Sequence, residues 1–194
     1  EDSIDAHARA TFLSYGGALP LPLNRDKVGG ELRQFLAHNI REGFHALYAL
    51  ARYRGSAQAI ELAEASVDAI LRLWNPVDGW DRDHIEDDLG LNMHPSAFIP
   101  GLARSIGPLV KLYRAVRYAP ALELAILLKE KAIDEYFTED GTYDRATFGT
   151  HAHSVTCVLS SLAQLAELTS DASLMDRVRV FYDNGLWDIR DQIG

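Results

Sequence analysis

Asp78-Gly79-Trp80-Asp81-Arg82 returns as Asp140-Gly141-Thr142-Tyr143-Asp144-Arg145, and its aromatic-acid-base core appears a third time in Trp187-Asp188-Ile189-Arg190. Each copy follows a stretch with helical periodicity. An aromatic, an acid and a base therefore recur where one helix ends and the next pair should begin. The first two copies also match upstream: Glu61-Leu62-Ala63 and Glu123-Leu124-Ala125 stand 62 positions apart, the same offset as Asp78-Gly79 and Asp140-Gly141. A unit that returns at fixed spacing cannot bury its apolar face alone and has to stack on its neighbours. The spacing predicts an all-α chain of about three stacked helical hairpins.

Working outward, residues 3–14 read as a short helix ended by Gly16-Gly17, Pro20 and Pro22, with a loop to about Gly30. From Phe35 to Arg54 the residues Leu36, Ile40, Phe44, Leu47 and Ala51 recur at three and four, which gives an amphipathic helix closed by Gly55. Its partner spans 57–74, with Ile60, Ala63, Val67, Ile70, Leu71 and Trp74 facing inward. The link between them is short enough only for antiparallel neighbours. A long polar and aromatic segment, 75–96, leads to an apolar helix over about 97–117, with Ser96 as N-cap and Pro100 in its first turn. Pro108 falls inside that run and should kink or divide it. Tyr118-Ala119-Pro120 turns into a helix at 121–137, the long link 138–150 follows, and helices at 151–168 and 172–184 meet at Thr169-Ser170-Asp171.

Composition narrows the function. With 194 residues and 47% hydrophobic content, the chain can bury roughly 70% of the surface its unfolded form exposes, enough for one core. We read 1–194 as one domain, with 1–30 as its N-terminal short helix and loop. A net charge of −9 with dispersed acids opposes a nucleic-acid or anionic-membrane partner, because phosphate contacts need clustered Lys and Arg. No apolar run approaches the ~20 residues of a membrane span. Cys157 stands alone, which excludes an internal disulfide and a multi-thiolate zinc site. A single thiol and no signal-like opening fit a cytoplasmic protein. The chain starts at Glu1 and ends at Gly194, directly after a repeat signature that elsewhere precedes another hairpin, so a longer polypeptide is expected.

Short and long links alternate. If hairpins stack side by side, the short turns fall on one rim and the long loops on the other. The long-loop rim would gather Trp80, Asp81, Arg82, Asp83, His84, Glu86, Asp87, Asp88, Asn92, Met93, His94, Tyr143, Asp144, Arg145, His151 and His153, at helix N-termini whose free N–H groups favour carboxylates and polar ligands.

Long aromatic and acidic loops, a Tyr53-Arg54 turn, a Thr169-Ser170-Asp171 turn and the following Leu174-Met175-Asp176 resemble the α/α toroids of the six-hairpin glycosidases. Asn39-Ile40-Arg41-Glu42-Gly43, running to Arg54-Gly55, is most similar to bacterial β-L-arabinofuranosidase-type proteins. The resemblance implies a partial (α/α)6 barrel, about half of one, with inner and outer helices and a sugar-binding cleft at the long-loop rim. It also implies that the remaining half of the barrel, or a second copy in a homo-oligomer, covers the open edges. The cysteine cluster that holds zinc in those enzymes has no counterpart beside Cys157, so that mechanism is not carried over.

An aromatic ring stacks on sugar C–H groups while a carboxylate and a guanidinium bind hydroxyls, so the repeated motif suits a carbohydrate substrate. It suits a structural role equally, with the aromatic plugging the hairpin and the Asp capping the next helix. Glycoside hydrolysis needs two carboxyls about 5–5.5 Å apart for retention or about 6.5–9.5 Å for inversion. Asp81 and Asp144 are the first candidate pair, and His153 is a third catalytic candidate. Trp80, Arg82, His84, Asn92, His94, Tyr143, Arg145, His151, Glu42 and His45 are candidate substrate-binding residues. The run Asp83, Glu86, Asp87, Asp88 is either a solvated acidic loop or a loose Ca²⁺ site without EF-hand spacing. No other cofactor is expected.

His38, Glu42 and His45 share the face opposite the apolar stripe of their helix, which a barrel turns to its lumen and a lone hairpin to water. His153, Thr156, Cys157, Ser160 and Gln164 form a second small and polar face, suited to close helix packing or to a cleft. The favoured reading is a glycoside hydrolase-like enzyme. Its neighbour is elimination or epimerisation of a sugar acid, with His153 or Tyr143 as base and Arg82 or Arg145 on the carboxylate. The other readings are a non-catalytic repeat scaffold and terpenoid chemistry through Glu86-Asp87-Asp88, which the polar loop disfavours.

Overall fold

The computed structural model describes residues 2–16, 19–23, 25, 27, 30–95 and 97–189. It is mostly helical. The helices are α1 (Asp2–Ser14), α2 (Ile40–Arg54), α3 (Ala57–Leu73), α4 (Ile106–Val116), α5 (Ala119–Glu135), α6 (Arg145–Phe148), α7 (Ala152–Thr169), α8 (Ala172–Asp183) and α9 (Gly185–Ile189). Short strands join them: β1 (Tyr15–Gly16), β2 (Leu19–Pro22), β3 (Gln34–Phe35), β4 (Trp74–Asn75), β5 (Gly79–Trp80) and β6 (Asn92–Met93). Among the described residues, no helix is long and apolar enough to cross a membrane.

Three antiparallel hairpins dominate: α2 with α3, α4 with α5, and α7 with α8. Their first helices are neighbours in turn, because α4 packs on both α2 and α7, and α3 packs on α5 in a second layer. The three tight turns share one backbone conformation. Gly55, Arg117 and Ser170 are left-handed (φ 61°, 59° and 56°), and Ser56, Tyr118 and Asp171 after them are extended. A left-handed residue returns the chain on itself and lets its N–H cap the preceding helix. Gly55 and Arg117 stand 62 positions apart, as do Gly79 and Gly141, both also at positive φ (79° and 67°). The offset seen in the sequence is therefore also an offset in backbone geometry.

Three expectations need revision. The run 97–117 is divided, as Pro108 suggested, but the break lies ahead of the proline: a 3-10 turn at Leu102–Ser105 precedes α4, which starts only at Ile106 and so keeps Pro108 in its first turn. Proline has no N–H, and only the first turn leaves that donor unneeded. Ser96, the expected cap, lies outside the described residues. Phe35 belongs to β3, not to α2, whose helical turn begins at Ala37. The expected N-terminal loop instead supplies core: β1 and β2 pair antiparallel, and Leu19, Leu21 and Leu23 are buried. Alternation of Leu with Pro in 19–23 places the leucines on one side of an extended chain. This ribbon sits so close to α2 that a Cβ on Gly43 would lie 2.4 Å from both the Tyr15 hydroxyl and Pro22 Cγ.

The long connections are folded onto the helix ends. β4 and β5 form a hairpin pairing Trp74 with Trp80, and β6 pairs in parallel with β3, matching Gln34 to Asn92 and Phe35 to Met93. The first loop is thereby stitched to the chain just before α2. The second loop packs through rings: Phe148 contacts Tyr136, Phe137, Tyr143 and Phe181 at centroid distances of 5.6, 5.2, 5.3 and 5.4 Å. Tyr136 continues to Phe98, and Phe98 stacks on Trp74 at 6.0 Å with an interplanar angle of 8°. One aromatic chain thus ties α8, the second loop, the segment before α4 and the first loop together.

Candidate functional site

The structure divides most of the candidate residues among three places and sets Glu42 in a fourth. At the first loop, two clefts flank the β4–β5 hairpin. One, of about 450 Å³, is lined by Trp74, Asp78, Trp80, Asp81, Arg82 and Asp83; the other, of about 570 Å³, by Trp74, Trp80, Arg82, Phe98 and Lys131. Trp80 is half-buried with its ring edge-to-face on Phe35 at 4.8 Å. Asp81 accepts from the His84 N–H at 3.0 Å and caps the turn beneath it. Arg82 pairs with Glu86 at 2.8 Å, and His84 Nδ1 with Asp88 at 2.7 Å. Asn92 and His94 are held by backbone N–H groups donating to Arg33 and Phe35, with exposed side chains. Asp81 caps while Glu86 and Asp88 pair with neighbours, and among the described residues no three metal-binding side chains cluster.

At the second loop, Tyr143 is buried and donates to the Gly149 carbonyl at 2.5 Å. Burial raises its phenol above the ordinary range. Asp144 is the N-cap of α6, accepting from the Ala146 and Thr147 amides. Bonds from Thr147 and Ala146 hold its carboxyl below the usual carboxylate range. Arg145 is exposed in the first turn of α6. In the third copy Trp187 is exposed, unlike the other two aromatics, and Arg190 lies outside the described residues. The motif is therefore engaged first in holding its own loops. Asp81 lines one of the clefts beside the β4–β5 hairpin, and Asp144 lines neither of the two.

The third place is a groove of about 300 Å³ across the polar faces of α2, α4 and α7, lined by Arg41, His45, Gly107, Pro108, Lys111, His153, Thr156, Cys157, Ser160, Ser161 and Gln164. Along each helix these residues recur at three- and four-residue spacing, some as adjacent pairs, so each helix contributes a single stripe. Gly107 lets α4 and α7 approach: a Cβ there would meet Ser161 Oγ at 2.7 Å. His153 Nε2 lies 3.4 Å from Cys157 Sγ. His151 contacts Ser154 Oγ through Nδ1 at 2.5 Å and sits edge-on to His153 at 5.9 Å. Burial, with Lys111 and Arg41 nearby, depresses the His45 imidazole to about 4, so it is neutral at physiological pH.

Glu42 turns toward the cleft beside α1, not into this groove. Partial burial works to raise its carboxyl, but the Arg41 hydrogen bond, its own backbone bond and the Arg104 and Arg41 charges outweigh it and hold the group below the ordinary range. Arg41 pairs with it at 2.9 Å, and Arg104 approaches at 3.6 Å while donating to the His38 carbonyl at 2.7 Å. Arg104 is only 2% exposed. Reasoning from sequence missed Arg41, Arg104, Gly107, Lys111 and Ser161. The i, i+4 pairs Arg41–His45 and Gly107–Lys111, in phase with the polar stripe of α7, were the available signal.

Comparison with protein-family models, with curated proteins and with solved structures gives no match to this chain.

Proposed function

We propose that this chain is an arc of an α/α toroid, about half a barrel, and that its concave polar face binds a carbohydrate and acts on it. The observation that carries this reading is the groove across α2, α4 and α7. Three adjacent helices turn hydroxyls, an amide and imidazoles toward one hollow, while their apolar faces build the core. Hydroxyls and amides aligned along a groove match the alternating donors and acceptors of a saccharide. The clefts beside the β4–β5 hairpin offer a separate aromatic wall and guanidinium at Trp80 and Arg82.

Within this reading the reaction is cleavage of a glycosidic bond. Hydrolysis by paired carboxyls would need Asp144 to leave its capping role at α6 and join Asp81, whereas elimination, which also breaks the glycosidic bond, would use His45 or His153 as the proton acceptor; epimerisation by the same base would leave that bond intact. His45 has the protonation state for that role, because burial and the Lys111 and Arg41 charges keep it neutral. The second reading, a non-catalytic scaffold, is favoured by one observation: the repeated aromatic-acid-base motif is already occupied in loop architecture. A panel of oligosaccharides scored by amide chemical-shift mapping and by reducing-end release separates the two. Shifts at His45, Lys111, Thr156 and Ser160 with turnover support the enzyme. Peptide binding on this face without any saccharide response replaces it with the scaffold.

A further inference from the structure

The groove carries a charge pattern opposite to that of the chain. The sequence has 28 Asp and Glu against 19 Lys and Arg. Yet among the described residues no carboxylate lines the groove, and its charged side chains are Arg41 and Lys111. Both line the groove with His45 and lower its proton affinity, while the neighbouring Glu42 carboxylate acts in the opposite sense. Arg41 shares its charge with Glu42. Lys111 is half-buried, and among the described residues no carboxylate or other acceptor pairs with it. Close by, the buried Arg104 adds a third positive charge, and its Nε has no hydrogen-bond acceptor. Arg41 and Arg104 have Glu42 as a shared counter-charge, whereas a partly desolvated Lys111 without one is unfavourable unless an anion completes it.

We infer that the groove takes a carboxylated saccharide, a uronic acid unit whose carboxylate lies between Lys111 and Arg41 while its hydroxyls meet Thr156, Ser160 and Gln164. This rests on reading the concave face as a carbohydrate site and names the class of sugar. A carboxylate matches a lysine and an arginine in charge and number of acceptors, and a neutral sugar would leave Lys111 uncompensated. The carboxylate also acidifies the adjacent C–H when its charge is neutralised, and His45 is the uncharged base nearest to those cations.

The test uses the full chain, titrated by calorimetry with a galacturonate trisaccharide and, separately, with its fully methyl-esterified form. The acid form should bind at least about tenfold more tightly than the ester, in proportion to one charge-assisted contact, and should weaken as salt rises. Lys111→Gln should lose about tenfold in affinity, and Lys111→Arg should retain it. Arg114→Gln, which removes a charge on the same helix as Lys111 that lies outside the groove and pairs with Glu167 of α7, should change nothing. Equal binding of acid and ester overturns the charge inference and leaves the carbohydrate reading standing. If acetate shifts the groove amides as strongly as the trisaccharide does, the carboxylate alone is recognised and the carbohydrate reading fails. Absence of binding by either trisaccharide overturns the inference outright.

Discussion

His45 offers a direct measurement of the groove. Its imidazole is depressed from 6.5 to about 4, first by burial, then by Lys111 and Arg41. A group whose proton affinity is lower folded than unfolded leaves stability untouched above pH 6.5, where both states are neutral. Stability is then lost as pH falls from 6.5 toward 4, because the unfolded chain takes up a proton that the folded chain refuses. The whole shift corresponds to ~3 kcal/mol, and solvent screening at a half-buried site reduces this to ~1–2 kcal/mol. Urea denaturation of the wild type and of His45→Gln at pH 7 and pH 4.5 isolates the term, since the carboxylates of both proteins titrate alike. The wild type should lose ~1–2 kcal/mol more than the variant over that interval. In parallel, the His45 ring followed by NMR should titrate well below pH 6 and move upward in Lys111→Met. Equal losses in the two proteins, or a ring midpoint at 6 or above, would refute the burial and the flanking cations together.

Other perturbations address the scaffold. Arg117→Gly should stabilise by ~0.5–1 kcal/mol, because a left-handed residue without Cβ strain replaces one with it; thermal denaturation reads the sign. Phe148→Ala should lose ~3–5 kcal/mol, since the ring is 3% exposed and contacts four other aromatics. The loss should come with faster hydrogen exchange in the second loop. Gly107→Val should lose ~1–3 kcal/mol by overpacking against Ser161 and should remove saccharide binding even where folding is retained, as titration of the refolded variant would show.

Helix content, the short turns and the 62-residue offset were readable in the chain, because apolar spacing and turn chemistry are local and do not depend on partners. The helix predicted over 57–74 runs Ala57–Leu73 and that over 172–184 runs Ala172–Asp183. The polar stripes of α2 and α7 were likewise visible as periodic residues. What the linear pattern could not give was which stripes meet. His45 and His153 are separated by more than half the chain, and they line one groove only because α4 packs between α2 and α7. Lys111 drew no attention in an otherwise apolar helix until that packing set it between two polar neighbours. The repeated aromatic-acid-base motif, the loudest signal in the sequence, turned inward: burial of Trp80 and Tyr143 and capping by Asp81 and Asp144 hold loops together. Local order follows from each segment's own residues. The groove, its charge and its protonation state arise where three distant segments remove one another from water, and that is settled only by tertiary packing.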